Sequence, residues 1–404
     1  MTIKQYMDEN NLNRLALVGT NSQGKSYALE QLAKDSEIKN CSICIWTEVK
    51  ADENIKNSAD STTLISWLNR LIDMSSIKQE IDNKIQELDF LKLDEETFLN
   101  IRLTNNLSSY KGIIGAEITT NSNSFNKPGS GEKFLGQLHL ISKILEDNTD
   151  NYYRYLIVDE PERHLHPSLY VKMGMILNNI SKSGIKVIIS THSPVILEYF
   201  VEDTNEIVKM KNGLPIFIPT KEELINKTFN YNVYTDINFQ FSSYSKIKSD
   251  IPTYFNRFII NLVYKSLFCD KIIIAEGYAE DEILKIFFEE YGNKSIINNI
   301  DYLIVYGKCF FPWLIDILKS IGVKVLSIHD KDNLDDPKHA NVNELIAKFT
   351  DSLIVVDPKI ENRLTLSSKD KVKSNVIEIR HKYINRQADL ISFIEEIYNK
   401  VSQL

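Results

Sequence analysis

Tyr155-Leu-Ile-Val158-Asp159-Glu160-Pro161-Glu-Arg-His-Leu-His-Pro167 holds an apolar run that ends on two acids and a proline. A short apolar run bounded by charge predicts a strand buried on both faces, as in a parallel sheet. Pro161 stops that strand from continuing, so Asp159 and Glu160 fall where it runs out. Open α/β sheets bind ligands at the carboxyl ends of their strands. An acid pair there can divide the work, one holding Mg²⁺ and the other orienting or deprotonating an attacking water. An isolated Asp-Glu is more often a solvated turn, and this one is not isolated.

Leu15 to Val18 predicts a second strand, followed by Gly19-Thr-Asn21-Ser-Gln-Gly24-Lys25-Ser26 and a helix-like stretch from Tyr27 to Ala33. This is G-x-x-x-x-G-K-[ST] between a strand and a helix, the setting that pattern requires. The backbone from Gly19 through Asn21 to Gly24 can wrap phosphates, and the helix start turns free N–H groups toward them. Lys25 suits the outer phosphates of a nucleotide, and Ser26 suits Mg²⁺ together with Asp159. Lys186 to Ser190 predicts another strand, capped by Thr191-His192-Ser193-Pro194, which delivers His192 to the same rim as a γ-phosphate contact. Glu160 is then the residue that acts on the water.

At 404 residues the chain is long for one core, and two domains are expected. The 43% hydrophobic and 25% charged content fits a soluble globular protein. No apolar run approaches the roughly 18 residues of a membrane span. Met1 to Asn13 carries Asp8 and Glu9 and no long apolar core, so a secretory signal is not expected there. Four cysteines are too few for a disulfide framework, which points to a reducing cytoplasm; Cys41 and Cys44 read as core thiols. A net charge of −8 argues against wholesale wrapping of DNA and leaves room for a local basic groove. Helical spacing from Thr62 to Leu91 predicts a helical insertion, about 60–110. From 206 to 265 the pattern weakens and reads as a connector.

Lys271 to Ala275 is a strand that delivers Glu276-Gly277, with Glu280 four residues on in a helix. Ile304-Val305 is another, followed by Gly307-Lys308 and an apolar helix. Val323 to Ile328 is a third, and it delivers Asp330-Lys331-Asp332. Strand ends along one sheet edge can bring these acids into a cluster of hard oxygen ligands for Mg²⁺ or Mn²⁺.

In order, the P-loop, Gly129-Ser130-Gly131-Glu132, the Val158-to-Pro167 motif and Ser190-Thr-His-Ser-Pro194 resemble an ABC-type ATPase head. More narrowly they resemble heads of the OLD (overcoming lysogenisation defect) family. The E-G-x-x-E and D-x-D pair resembles a Toprim domain, and a head followed by Toprim resembles OLD-family nucleases. The resemblance implies a fold of ABC-type head, 1–205, then connector, 206–265, then a Rossmann-like parallel Toprim sheet, 266–404. It implies ATP as ligand, dimerisation or higher assembly through the heads, and Ser130, Gly131 and Glu132 acting on the partner's nucleotide. The hydroxyl at Ser130 falls one residue later than the family pattern has it. The resemblance further implies that Glu276 is a metal ligand or general base and that Asp330 and Asp332 are ligands. Glu280 and Glu361 would serve a second metal, and Lys373, with Lys371 and Lys382 as competitors, would stand near the scissile phosphate. The implied activity is metal-dependent DNA cleavage in anti-phage defence, with a defence-system partner protein and no membrane. The rival readings are an ATP-driven sensor or scaffold with an inert Toprim that holds a separate effector, and a recombination-mediator ATPase that clamps DNA.

Overall fold

The computed structural model of the chain describes residues 1–39, 41–45, 91–92, 97–104, 113–120, 138, 154–163, 165–229, 260–305, 307–308, 311–332, 337–366 and 372–404. They divide into two units, Met1–Val18 with Ser22–Pro215, and Ile216–Leu404 with the loop residues Gly19–Asn21. Among the described residues no helix is long and apolar enough to cross a membrane.

The first elements in chain order are α1 (Ile3–Glu9), β1 (Arg14–Val18), α2 (Lys25–Lys34), β2 (Ser42–Ile45), β3 (Leu91–Lys92), β4 (Thr97–Thr104), β5 (Ile113–Thr120) and β6 (Tyr155–Asp159). After them come α3 (Tyr170–Lys182), β7 (Lys186–Ser190), α4 (Pro194–Phe200), β8 (Ile207–Lys211) and β9 (Leu214–Phe217). The main sheet runs β2-β6-β7-β1-β8-β9. β6 lies parallel to β2 and β7, and β1 parallel to β7 and β8. Leu15 to Val18, Leu156 to Val158 and Val187 to Ile189 are all fully buried. Central parallel strands are covered on both faces, which is why they read as unbroken apolar runs. Register sets Asp159 beside Ser190, and Ser190 beside Leu17, so β1, β6 and β7 end level. Cys41 and Cys44 are buried free thiols.

Two expectations are corrected here. The described part of the insertion near 60–110 is antiparallel sheet rather than helix: β3, β4 and β5 pair in that order. Register matches Leu99 with Ile118, Ile101 with Ala116 and Leu103 with Ile114. Alternate residues of a strand share a face, so this period-two pattern outweighs the helical spacing upstream. The helical arm expected over 62–90 lies outside the described residues. The stretch read as a connector from 206 begins with β8 and β9, which extend the main sheet past β1. Asn212 and Gly213 join them with φ of 51° and 78°, the two left-handed positions of a tight hairpin turn. Residues 230–259 of that stretch lie outside the described residues.

Next come α5 (Lys221–Phe229), α6 (Ile260–Ser266), β10 (Lys271–Ala275), α7 (Tyr278–Tyr291), β11 (Ile300–Ile304) and α8 (Phe311–Ser320). The chain ends with β12 (Lys324–Asp330), α9 (Pro337–Phe349), β13 (Ser352–Val356), α10 (Ile360–Arg363), α11 (Val372–Ile384) and α12 (Ala388–Gln403). The sheet is parallel throughout, in the order β11-β10-β12-β13. Ile283 and Phe287 of α7, Ile379 of α11 and Phe393 and Ile397 of α12 bury themselves with Ile273, Leu326 and Ile354 of the sheet. Parallel register brings Glu276, just past β10, and Asp330, the last residue of β12, to one carboxyl edge. The Arg363 guanidinium lies over the Phe393 ring, 4.2 Å from its centroid. Phe393→Ala is therefore expected to cost about 3–5 kcal/mol, read as a lowered urea midpoint with unchanged m-value.

Candidate functional site

The first cluster gathers where β1, β6 and β7 end. Gly24 has φ +90°, and a Cβ added there would stand 3.2 Å from the Cα of Gly213 at the β8–β9 turn. Only glycine fits that conformation and that approach easily. Gly213 N–H donates to the Gln23 carbonyl at 3.1 Å, so the hairpin tip is tied to the P-loop. Ser26 Oγ donates to Asp159 Oδ1 at 3.0 Å, and Ser190 Oγ donates to the same oxygen at 2.6 Å. Asp159 is buried, and these hydroxyls satisfy it. A divalent cation held between Ser26 and Asp159 would take over that contact.

Glu160 has φ 48°, a strained value for a residue with a side chain. Its N–H donates to Ser190 Oγ at 3.0 Å, which holds the turn. His192 Nε2 stands 3.2 Å from Glu160 Oε1. Burial pulls the imidazole below its usual range, helped by the Lys25 charge and opposed by Glu160, so neutral histidine is favoured near pH 7. Burial also lowers Lys25 to about 8, against the pull of Glu160, Glu162 and Asp159. A bound phosphate would restore its full charge. Gly19 has φ +138°, as a loop wrapping an anion needs. Gly129, Ser130, Gly131 and Glu132 lie outside the described residues.

Sequence reasoning passed over Glu162. Its carboxylate accepts from Thr191 Oγ1 at 3.0 Å and from the His192 N–H, fastening the turn after β6 to the loop after β7. Burial raises it despite those donors. Its only sequence signal was a third acid within four residues of Asp159.

The second cluster lies at the carboxyl edge of the β10–β13 sheet. A cavity of about 170 Å³ is lined by Glu276, Glu280, Asp330, Glu361 and Asn375, among others. Burial raises Glu276, offset mainly by the Lys308 ammonium. Its Oε2 is buried and has no hydrogen-bond partner. Burial, then the Asp330 charge, lifts Glu280 to about 8. One of its oxygens accepts from the Gly277 N–H at 3.1 Å and so caps α7. Burial, then the Glu276 charge, lifts Asp330 to about 7, although Asp330 Oδ1 accepts from the Ile360 N–H at 2.9 Å.

Asp332 goes elsewhere. Lys308 Nζ is 2.7 Å from Asp332 Oδ2 and donates to the Asp330 carbonyl at 2.8 Å, while Lys359 Nζ is 3.6 Å from Asp332 Oδ1. Lys308 is buried, and the Gly-Lys after the β11 strand was the signal for it. Among the described residues no three His, Cys, Asp or Glu side chains already converge tightly enough to hold an ion. The donor set nevertheless fits a hard divalent cation. Four carboxyl groups line the cavity, the Glu276 Oε2 and Asn375 Oδ1 oxygens there have no partner, and burial holds Glu280 and Asp330 above the ordinary carboxylate range. Of the lysines expected near this site, Lys382 donates to Asp389 at 2.9 Å and is spoken for. Lys373 lies on α11 with its side chain outside the described residues, as is all of Lys371.

Comparison with known proteins agrees with two parts. Residues 267–332 match the family model "Overcoming lysogenization defect protein-like, TOPRIM domain". Residues 129–198 match an AAA domain model whose description names an AbiEii toxin of a Type IV TA system. The chain is 24% identical over 242 residues to the Old nuclease of Escherichia phage P2, covering 59% of this chain and 38% of that protein. It is 24% identical over 345 residues to the endonuclease GajA of Bacillus cereus (strain HuB5-5), covering 81% of this chain and 47% of that one. The chain thus spans less than half the length of either curated relative. A solved C-terminal region of the Burkholderia pseudomallei OLD protein overlays 34% of this chain and 86% of its own, at 18% identity and a TM-score of 0.20.

Two outcomes follow from the geometry. Gly24→Ala, forced into a left-handed backbone costing about 1–2 kcal/mol and against Gly213, is expected to weaken binding of a fluorescent ATP analogue at least about tenfold. Glu280 and Asp330 are raised above the ordinary carboxylate range, so the folded state binds more protons than the unfolded chain between about pH 4 and about pH 8. Stability from these groups is full below their unfolded values and is lost as pH rises through the folded ones. In EDTA the Tm should therefore fall across that window, and Mn²⁺ should recover most of it at the alkaline end. A metal-free Tm that climbs with pH throughout the window would count against the protonated cluster.

Proposed function

We propose, from the premise that the chain is an OLD-family protein, an ATPase head joined to an OLD-like TOPRIM domain, that it binds and hydrolyses ATP and cuts DNA with divalent metal. The observation that carries the nuclease half is the cavity lined by Glu276, Glu280, Asp330 and Glu361, where burial raises Glu280 and Asp330 toward neutrality. A bound Mg²⁺ or Mn²⁺ would activate a water and offset charge on the phosphodiester. Glu276, with a free oxygen, is suited to ligate or to take the water's proton. Lys308 steadies Asp332 and the Asp330 backbone, and Lys373, with Lys371 as its competitor, is the candidate near the scissile phosphate.

In the head, Lys25 and the P-loop backbone would bind the outer phosphates, with Mg²⁺ between Ser26 and Asp159. Glu160, with His192 on one oxygen, would orient the water. Ser130, Gly131 and Glu132 of a second copy would complete the nucleotide site, so the heads would assemble as dimers. Anti-phage defence in the cytoplasm, alongside a partner protein, is the role the family resemblance supports. A second reading, an ATP-driven scaffold with an inert Toprim, draws on the lysines that occupy Asp332 and on the unconverged acids.

Nicking of supercoiled plasmid in Mn²⁺ separates the two. Cleavage should drop by at least about a hundredfold in Glu276→Ala and Asp330→Ala and survive in Lys25→Ala, which should instead lose ATP hydrolysis. A wild-type protein that leaves plasmid, linear duplex and single strands intact in Mg²⁺ and Mn²⁺, with and without ATP, would favour the scaffold.

A further inference from the structure

Asn375 has no place in the chemistry read from the sequence. It sits in the first half of α11, is 6% exposed, and lines the same cavity as Glu276, Glu280, Asp330 and Glu361. Its Oδ1 is buried without a hydrogen-bond partner. Leaving such an oxygen unpaired costs roughly 1–3 kcal/mol. Glu276 Oε2 is orphaned in the same way, and both residues line this one cavity. Two acceptors that both lack a donor, in the lining of one small acidic space, call for a cation.

The helix that carries Asn375 is held in place for the purpose. Arg380, five residues on, reaches across to α7, with Nε 2.5 Å from Glu282 Oε1 and Nη1 2.7 Å from Glu289 Oε2. Ile379 of α11 is buried in the core beside Ile283 and Phe287 of α7. α7 also carries Glu280, so the clamp sets the distance between the amide and that carboxyl. A fifth acid here would add repulsion to a cavity already lined by four carboxyl groups. A neutral amide carbonyl adds a hard oxygen with no further charge.

We propose that Asn375 is a ligand of the divalent cation, supplying its amide oxygen alongside the carboxylates of the cavity. The proposal rests on the metal-site reading above and adds to it a ligand from α11.

Mn²⁺ binding to the full chain, measured by calorimetry and by the loss of free Mn²⁺ signal in electron paramagnetic resonance, tests it without reference to cleavage. Asp330→Asn is the control and should abolish binding. Asn375→Leu, similar in size and without donor or acceptor, should weaken Mn²⁺ at least about tenfold and remove most of the Mn²⁺-induced rise in Tm. Asn375→Asp keeps an oxygen and should bind at least as tightly as wild type; it also serves if the leucine variant fails to fold. Wild-type affinity in Asn375→Leu, with binding lost in Asp330→Asn, overturns this proposal and leaves the metal site standing. Equal weakening in the leucine and aspartate variants overturns it too, since that would assign the amide a donor's role. No Mn²⁺ binding to wild type overturns both.

Discussion

A carboxylate buried at the end of a parallel strand needs hydrogen-bond donors or positive charge, and the chemistry of both units follows from how each acid finds them. Asp159 finds two hydroxyls, from Ser26 and Ser190. Glu162 finds a backbone N–H and a threonine. Asp332 finds two lysines. Glu280 and Asp330 find one N–H each, and for them burial and mutual repulsion prevail, so they keep their protons. That ranking separates acids whose partners are built in from acids whose partner must arrive.

The two clusters consequently differ in readiness. In the head the loops after β6 and β7 are fastened to each other through Glu162, and the strained Glu160 backbone is held by Ser190. Strain of that kind persists only where surrounding contacts over-determine it. The acids of the other cluster are gathered but not converged. Two carboxylates about 5 Å apart repel by about 3 kcal/mol at an effective dielectric of ~20. Burial together with repulsion of that size holds Glu280 and Asp330 above the ordinary carboxylate range.

What the sequence made legible was whatever local pattern and sheet topology jointly dictate. An apolar pentad that ends in acid, or in Gly-x-x-x-x-Gly-Lys-Ser, names both the strand and the edge at which its chemistry emerges. Glu276 and Asp330 could be paired from some fifty residues apart because parallel strands end on one side. The rest depended on contacts that no local pattern encodes. The helical spacing read from Thr62 to Leu91 was carried on to about 110, where β4 follows the alternation Leu99, Ile101, Leu103 instead. Asn212-Gly213 announces a hairpin, but nothing local says that its tip closes on Gln23 and Gly24. Lys308 and Asn375 gain meaning only when β11 and α11 come beside the acids. Asp332 carries a contact of the same kind, since no local pattern says that Lys308 and Lys359 close on it.

Lys308 shows what a built-in ammonium does at a sheet edge rich in acids. A lysine is a fixed charge on a tether and cannot leave, so it can stabilise the fold but cannot report on the surroundings. A divalent cation at the proposed site would have to displace protons from Glu280 and Asp330, so its affinity would rise with pH. Through Asp332 and the Asp330 carbonyl, Lys308 ties the segment after β11 to the end of β12. On the proposed reading, Glu276, Glu280, Asp330 and Glu361 would then be the groups that respond to metal. A permanent cation beside an exchangeable one would let the same sheet edge serve as both a structural joint and a conditional reaction site.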